Sequence, residues 1–300
     1  MPGAPGEVPV RTPLTWLYAP GDRPEVVARA LGCGADVVVI DLEDAVAPDR
    51  KARALRATAE LLSEPDPGPA PVHVRVNALD GPLAGTEIRT LAALPGLSGL
   101  RLPKVRGPAD VHRAVRWATG PAMQRPTRDR AVGGASPALY ALLESALGVE
   151  HAFAIATAHP ALRGIALGET DLCAELGVRD DAGLAWPRSR TVVAARAAGL
   201  APPPQSVYPD VRDLDGLARS CAQGRALGFL GRVAIHPRQL PVIEAAHLPS
   251  PAEVAAAEQV VRAAEEEGGG ARALPDGRFV DAAVVAGARR VLSLAARRRG

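Results

Sequence analysis

Short apolar runs alternate with amphipathic stretches from Leu14 to about His247. Eight of the runs have the length and β-branched content of strands: LTWLYAP, DVVVIDL, PVHVRVN, GLRLPKV, ALYALLES, LRGIALG, QSVYPD and RVAIHP. Between them lie segments with helical periodicity, among them PEVVARALG, RKARALRATAELL, GTEIRTLAAL, PADVHRAVRWA, GVEHAFAIATA, RSRTVVAARAAG and DLDGLARSCAQGRALG. Pro24, Pro108 and Asp213 mark helix starts, and Gly34, Gly120 and Gly199 mark ends. Strand–helix alternation repeated in this way predicts an α/β chain closed into a parallel (β/α)8 TIM barrel. An open doubly wound sheet would usually carry a phosphate-binding glycine loop after its first strand, and neither GxGxxG nor GxxxxGK[ST] occurs.

The barrel is expected over residues 11–247. Residues 248–300 fall outside the repeat: a capped helix (SPAEVAAAEQVVRAAEEE), a loop (GGGARALPDGRFVD) and a final helix (AAVVAGARRVLSLAARRR). They read as a C-terminal helical extension that packs on the barrel or on a neighbouring subunit. Gly120 to Ser136 has no periodicity and reads as a mobile loop.

Polar residues gather at the carboxyl ends of the expected strands. Asp41, Glu43 and Asp44 end the second, Arg75 and Asn77 the third, Lys104 the fourth and Glu144 the fifth. Asp171 follows the sixth, and Asp210 and His236 end the last two. In a (β/α)8 barrel that face carries the active site. The third strand supports the orientation, since Val72, Val74 and Val76 alternate with His73, Arg75 and Asn77; a half-exposed antiparallel strand would alternate in the same way. Bland readings stay open: Glu144 as a helix-start acid, Asp171 as an N-cap, Lys104 as a solvated loop residue, and His73 and His236 as satisfied core histidines. His112, His151, His159 and His247 read as surface residues.

Composition narrows the chemistry. The 47% hydrophobic content is ample for a core, and 35 basic against 33 acidic residues leave no field to draw nucleic acid or a membrane surface. The start, MPGAPGEVPV, lacks a basic head followed by an apolar run, which predicts a cytoplasmic protein. Cys33, Cys173 and Cys221 are odd in number and far apart, so they read as small buried hydrophobes. Carboxylates on neighbouring strand ends suit a hard ion completed by waters and substrate oxygens, which describes Mg²⁺. Glu144 and Asp171 are the best pair. Such an ion can chelate a 2-oxo or 2-hydroxy acid while an arginine such as Arg75 forks onto a carboxylate or steadies an enolate oxygen, equipment for carbon–carbon chemistry beside a carbonyl.

The motifs LYAPGDRPE, DLEDAVAPDRKARAL, VHVRVN, LRLPKV, ALLESALG, IALGETDLCAELG, YPDVRDLDGL and AIHPRQL occur in that order. Over about residues 11 to 295 the chain resembles the citrate lyase β-subunit-like family, which includes malyl-CoA and citramalyl-CoA lyases within the HpcH/HpaI aldolase superfamily. The resemblance implies a Mg²⁺ site and Claisen-type cleavage or formation of a 3-hydroxyacyl-CoA, giving acetyl-CoA and a 2-oxo acid. It implies Glu144 and Asp171 as metal ligands and Arg75 as the group that meets the substrate carboxylate or enolate. Glu43 and Asp44 would orient metal waters or Arg75, Lys104 would bind substrate, and Arg23 would meet CoA phosphates at the rim. It further implies Asp281 as an acid/base donated to a neighbouring subunit, hence a homo-oligomer, with a trimer favoured. The chain departs from the family pattern at Ala283, at Pro204-Gln205 and at Pro187. An aldolase on free hydroxy-oxo acids, a citrate lyase subunit acting on a carrier-protein thioester, a thioesterase and a non-catalytic binding barrel are the competing expectations.

Overall fold

The computed structural model describes residues 12–120, 137–266, 272–273, 277 and 279–298. The expected mobile loop, apart from Gly120, lies outside them. Two compact units divide the chain, Pro13–Glu244 and Ala245–Gly300, the latter grouped with the first residues through Thr12.

In the larger unit seven strands form one parallel sheet: β1 (Thr15–Pro20), β2 (Val37–Asp41), β3 (Val72–Arg75), β4 (Leu97–Leu102), β5 (Ala138–Leu143), β6 (Leu162–Leu167) and β7 (Arg232–Ala234). The helices are α1 (Pro24–Leu31), α2 (Lys51–Leu62), α3 (Ala84–Leu91), α4 (Pro108–Thr119), α5 (Ala146–Glu150), α6 (Ala152–Ala156), α7 (Glu169–Leu176), α8 (Ala185–Ala197) and α9 (Leu214–Ala226), and α10 (Leu240–His247) spans the boundary at Glu244. Pro24 and Pro108 occupy first turns, and Asp213 caps α9 by accepting from Gly216 N at 2.8 Å. The stretch GVEHAFAIATA, expected as one helix, is two, broken at His151 (φ −87°, ψ 7°).

The spatial order is β6-β5-β4-β3-β2-β1-β7, so the last strand returns to the side of the first and the sheet curls in the manner of a TIM barrel. It does not close. The expected seventh strand, QSVYPD, is reduced to one parallel bridge, Gln205 to Arg232, made by Gln205 N on Gly231 O (3.0 Å) and Val233 N on Gln205 O (3.0 Å). Pro202, Pro203 and Pro204 precede it without amide hydrogens, which removes the donors a longer ladder needs. On the far side of this seam Glu169 N donates to Ser206 Oγ at 3.3 Å. Asp210 therefore ends no strand; it is exposed and accepts from Arg212 N.

β2 is buried along its whole length, with Val38, Val39 and Ile40 at 0% exposure, which answers to its unbroken apolar run. Inside the curl, Trp16, Val37, Val39 and Val233 form an apolar plug. Beside it His73 stacks on Tyr140, ring centroids 4.6 Å apart. The tyrosine ring fits because its neighbours on β4 and β6 are glycines. A Cβ on Gly99 would stand 2.9 Å from Tyr140 Cε2, and one on Gly164 would stand 3.0 Å from Tyr140 Cδ1.

In the second unit α11 (Pro251–Glu266) and α12 (Ala282–Ala295) pack through Ala257, Val260 and Ala288, with Val280 of a two-residue antiparallel pair, β8 (Arg272–Ala273) and β9 (Phe279–Val280), inside the stretch expected as loop. Two other expectations fail on burial. His247 is fully buried, and of the cysteines only Cys221 is, Cys33 and Cys173 being partly exposed.

Candidate active site

A cavity of about 380 Å³ opens at the carboxyl ends of the strands, lined among others by Tyr18, Asp41, Arg75, Arg101, Glu144 and Asp171. The register explains the gathering. Asp41 pairs with Arg75, Arg75 with Arg101 and Arg101 with Tyr140, so one row across β2 to β5 carries four polar side chains on one face.

Asp41, 1% exposed, is fully engaged. Arg75 donates to it through Nε (2.8 Å) and Nη2 (2.7 Å), and the backbone amides of Glu43 and Ala45 donate at 3.0 Å each. The remaining Arg75 nitrogen, Nη1, lies 2.9 Å from Glu43 Oε2 and 3.5 Å from Asp44 Oδ2, the former an ion pair rather than an aligned hydrogen bond. Burial alone would lower the pKa of Arg75; the Asp41 hydrogen bonds and the surrounding negative charge reverse this and hold the guanidinium charged. The loop is braced from outside, where Lys51 Nζ donates to the carbonyls of Leu42 (2.8 Å) and Glu43 (2.6 Å). Asn77 is a brace too, tied to Glu87 and to Leu42 O.

Lys104 spans the acids: Nζ is 2.9 Å from Glu43, 3.9 Å from Asp44 and 3.7 Å from Asp171. It is the one non-glycine with positive φ (53°) among the described residues, a strained conformation that turns its amide onto Glu144 Oε2 at 2.8 Å. Glu144 follows β5 and lies across the end of β6, where the absent side chain of Gly168 admits it; a Cβ there would be 2.6 Å from Glu144 Oε1. Burial, and next the charge of Glu43, push the Glu144 carboxyl up to about 7. Burial raises Glu43 as well, against the pull of Arg75 and Lys104.

Asp171 stands in the first turn of α7, whose N-cap is Gly168, so it is not the cap. Nearby, Arg188 forks onto Glu169 (2.8 Å from Nε and from Nη2) and onto Asp181 (2.7 Å from Nη1 and from Nη2), fixing the start of α7 to α8. No sequence signal singled out Arg188, and Tyr18 and Arg101 were also missed. Of the other expected residues, Arg23 is exposed at the start of α1, outside the cavity lining. His236 is half-buried, its ring accepting from Arg238 N. Asp281 lies in the second unit, where its carboxylate caps α12 by accepting from Val284 N at 2.9 Å.

The donor set fits a hard divalent ion. Among the described residues no three His, Cys, Asp or Glu side chains form a ready-made cage, but Glu144 and Asp171 share the cavity, and Mg²⁺ normally keeps waters beside one or two carboxylates. The raised pKa of Glu144 marks a buried carboxylate whose negative charge lacks full compensation, which a cation would supply.

A curled parallel α/β sheet with acids, a lysine and arginines converging at its strand ends defines an enzyme of the aldolase type. The chain belongs to the HpcH/HpaI aldolase/citrate lyase family, a family of carbon–carbon lyases, whose model matches residues 14–237. It is 35% identical over 286 residues to a (3S)-malyl-CoA thioesterase of Cereibacter sphaeroides (strain KD131 / KCTC 12085), covering 93% of each chain. It is 34% identical over 287 residues to citrate lyase subunit beta of Leuconostoc mesenteroides subsp. cremoris, covering 94% of this chain and 92% of the other. Among solved structures it is similar to the protein CitE of Mycobacterium tuberculosis in complex with magnesium, acetoacetate and coenzyme A (TM-score 0.76, 32% identity, 95% of this chain and 98% of that one). No helix among the described residues is long and apolar enough to cross a membrane.

Proposed function

We propose that the protein is a Mg²⁺-dependent lyase that cleaves a 3-hydroxyacyl-CoA such as malyl-, citramalyl- or citryl-CoA to acetyl-CoA and a 2-oxo acid, or runs the reverse condensation. The observation that carries this reading is the placement of Glu144 and Asp171 on one cavity, with Glu144 buried among like charges. Support comes from the relatives: one is named for a malyl-CoA thioester, one for citrate cleavage, and the CitE structure holds magnesium and coenzyme A together. In this reading Gln205 to Val207 stand in the place of the seventh strand of a (β/α)8 barrel.

Glu144 and Asp171 would hold the ion, which when bound acts as a Lewis acid on the oxo group of the 2-oxo acid. Arg75, with Nε and Nη2 committed to Asp41, presents fixed positive charge toward the developing enolate oxygen, where preorganised charge lowers the barrier. Glu43 and Asp44 hold Arg75 and Lys104 in place, and Lys104 adds a second cation on the substrate side. Asp281 of a neighbouring copy moves the proton at the acetyl carbon, which makes the working form an oligomer, in our reading a trimer. Arg23 meets the CoA phosphates.

The test is incubation of the full chain with Mg²⁺ and malyl-, citramalyl- or citryl-CoA, assaying free CoA, acetyl-CoA and 2-oxo acid, with Glu144→Ala as control. Acetyl-CoA and a 2-oxo acid formed only with Mg²⁺ and intact Glu144 are expected. Free CoA without acetyl-CoA would replace this reading by thioester hydrolysis, which the 35% identical thioesterase favours as the second reading. No product from any of the three would move the site to free-acid aldol chemistry or a carrier-protein thioester.

A further inference from the structure

Arg101 is 2% exposed and lines the cavity, yet it has no carboxylate within ion-pair distance among the described residues. Its Nε has no hydrogen-bond partner among the described residues. Its surroundings are aromatic: the guanidinium carbon is 5.9 Å from the centroid of Trp16 and 5.7 Å from that of Tyr140, and the Tyr18 hydroxyl is a neutral hydrogen-bond partner that brings no full negative charge. Ring faces attract a cation, but they do not take its in-plane N–H groups. A buried charge left in that condition is costly, and such departures from a satisfied interior concentrate where a ligand completes them.

The neighbouring arginine cannot serve the same purpose. Arg75, paired with Arg101 in the strand register, has all three of its nitrogens committed, Nε and Nη2 to Asp41 and Nη1 to Glu43. Of the two guanidinium groups that line the cavity among the described residues, only that of Arg101 has no carboxylate opposite it.

We propose that Arg101 is a specificity residue that receives a second carboxylate of the substrate, so that the cavity prefers a dicarboxylic 2-oxo acid to a monocarboxylic one. This rests on the lyase reading above, in which the oxo group and adjacent carboxylate of the acid are held at the Glu144 and Asp171 end. Pyruvate spends its only carboxylate there. Oxaloacetate has another to offer, and a planar guanidinium accepts it in a two-point fork.

The experiment is calorimetric titration of the Mg²⁺-loaded full chain with fresh oxaloacetate and with pyruvate, for wild type, Arg101→Met and Arg101→Lys. Wild type is expected to bind oxaloacetate more tightly by about tenfold or more, the worth of a charge-assisted fork. Arg101→Met is expected to bind the two acids alike, and Arg101→Lys to keep part of the preference. Because methionine fills a similar volume, thermal unfolding reports separately on the fold. A preference unchanged in Arg101→Met, or pyruvate and oxaloacetate bound equally by wild type, overturns the proposal while leaving the lyase reading in place. Failure of wild type to bind either acid overturns both.

Discussion

Arg75 and Arg101 sit one strand apart in the same row of the sheet, and the contrast between them separates architecture from recognition. Arg75 is clamped by Asp41 through two nitrogens and by Glu43 through the third. Arg101, more deeply buried, has aromatic rings where the other has carboxylates. The same side chain in neighbouring positions is in one case a fastening and in the other an open valence. The two should respond to truncation with opposite signs.

The largest effect is expected at the fastening. Arg75→Met leaves Asp41 buried without its cation and Glu43 with Lys104 alone, and should cost about 3 to 5 kcal/mol, read as a fall in the urea midpoint. A midpoint unchanged by the substitution would break the comparison outright. Arg101→Met removes an uncompensated charge from the interior and should instead raise stability, by about 1 to 4 kcal/mol. A loss of stability there would mean that the aromatic contacts outweigh the burial of the charge.

The comparison sharpens at Gly168. Adding a methyl group in Gly168→Ala pushes Glu144 off the end of β6, with an expected cost of about 1 to 3 kcal/mol and weaker Mg²⁺ binding by calorimetry. Unaltered Mg²⁺ affinity would show that Glu144 does not need that seat.

The smallest effect lies at His73, whose pKa burial, and then Arg101, lower well below 6.5. The folded protein keeps this imidazole neutral, while the unfolded chain takes up a proton below about pH 6.5. Its contribution is therefore fully present above that pH and is lost as the pH falls toward the depressed folded value, at up to about 1.4 kcal/mol per pH unit. His73→Phe should flatten the stability profile between about pH 6.5 and pH 5 relative to wild type. In Arg101→Met the same stretch should flatten partly, since the charge opposing protonation is gone.

Much of this was legible in the chain itself. Strand ends bearing Asp41, Arg75, Lys104, Glu144 and Asp171 could be read from apolar runs that stop at polar residues, and the structure brings these residues around one cavity or its edge. The missing strand was not legible, because QSVYPD has strand-like residues and only the prolines ahead of it argue otherwise. Arg101 was hidden for a different reason. In GLRLPKV it looks like any arginine in a strand, and what distinguishes it is that no acid among the described residues faces it in three dimensions, where Trp16, Tyr18 and Tyr140 from distant parts of the chain stand instead. Arg188 likewise reveals itself only through the two acids it joins.

The fit of the Tyr140 ring between Gly99 and Gly164 has a further implication for how this molecule could change over generations. Three positions on three strands form one inherited unit. A side chain at either glycine displaces the ring, and losing the ring empties the space that both glycines leave. Single steps away from the trio are each penalised, so it should be exchanged only as a set, and the aromatic wall of Arg101 would be exchanged with it.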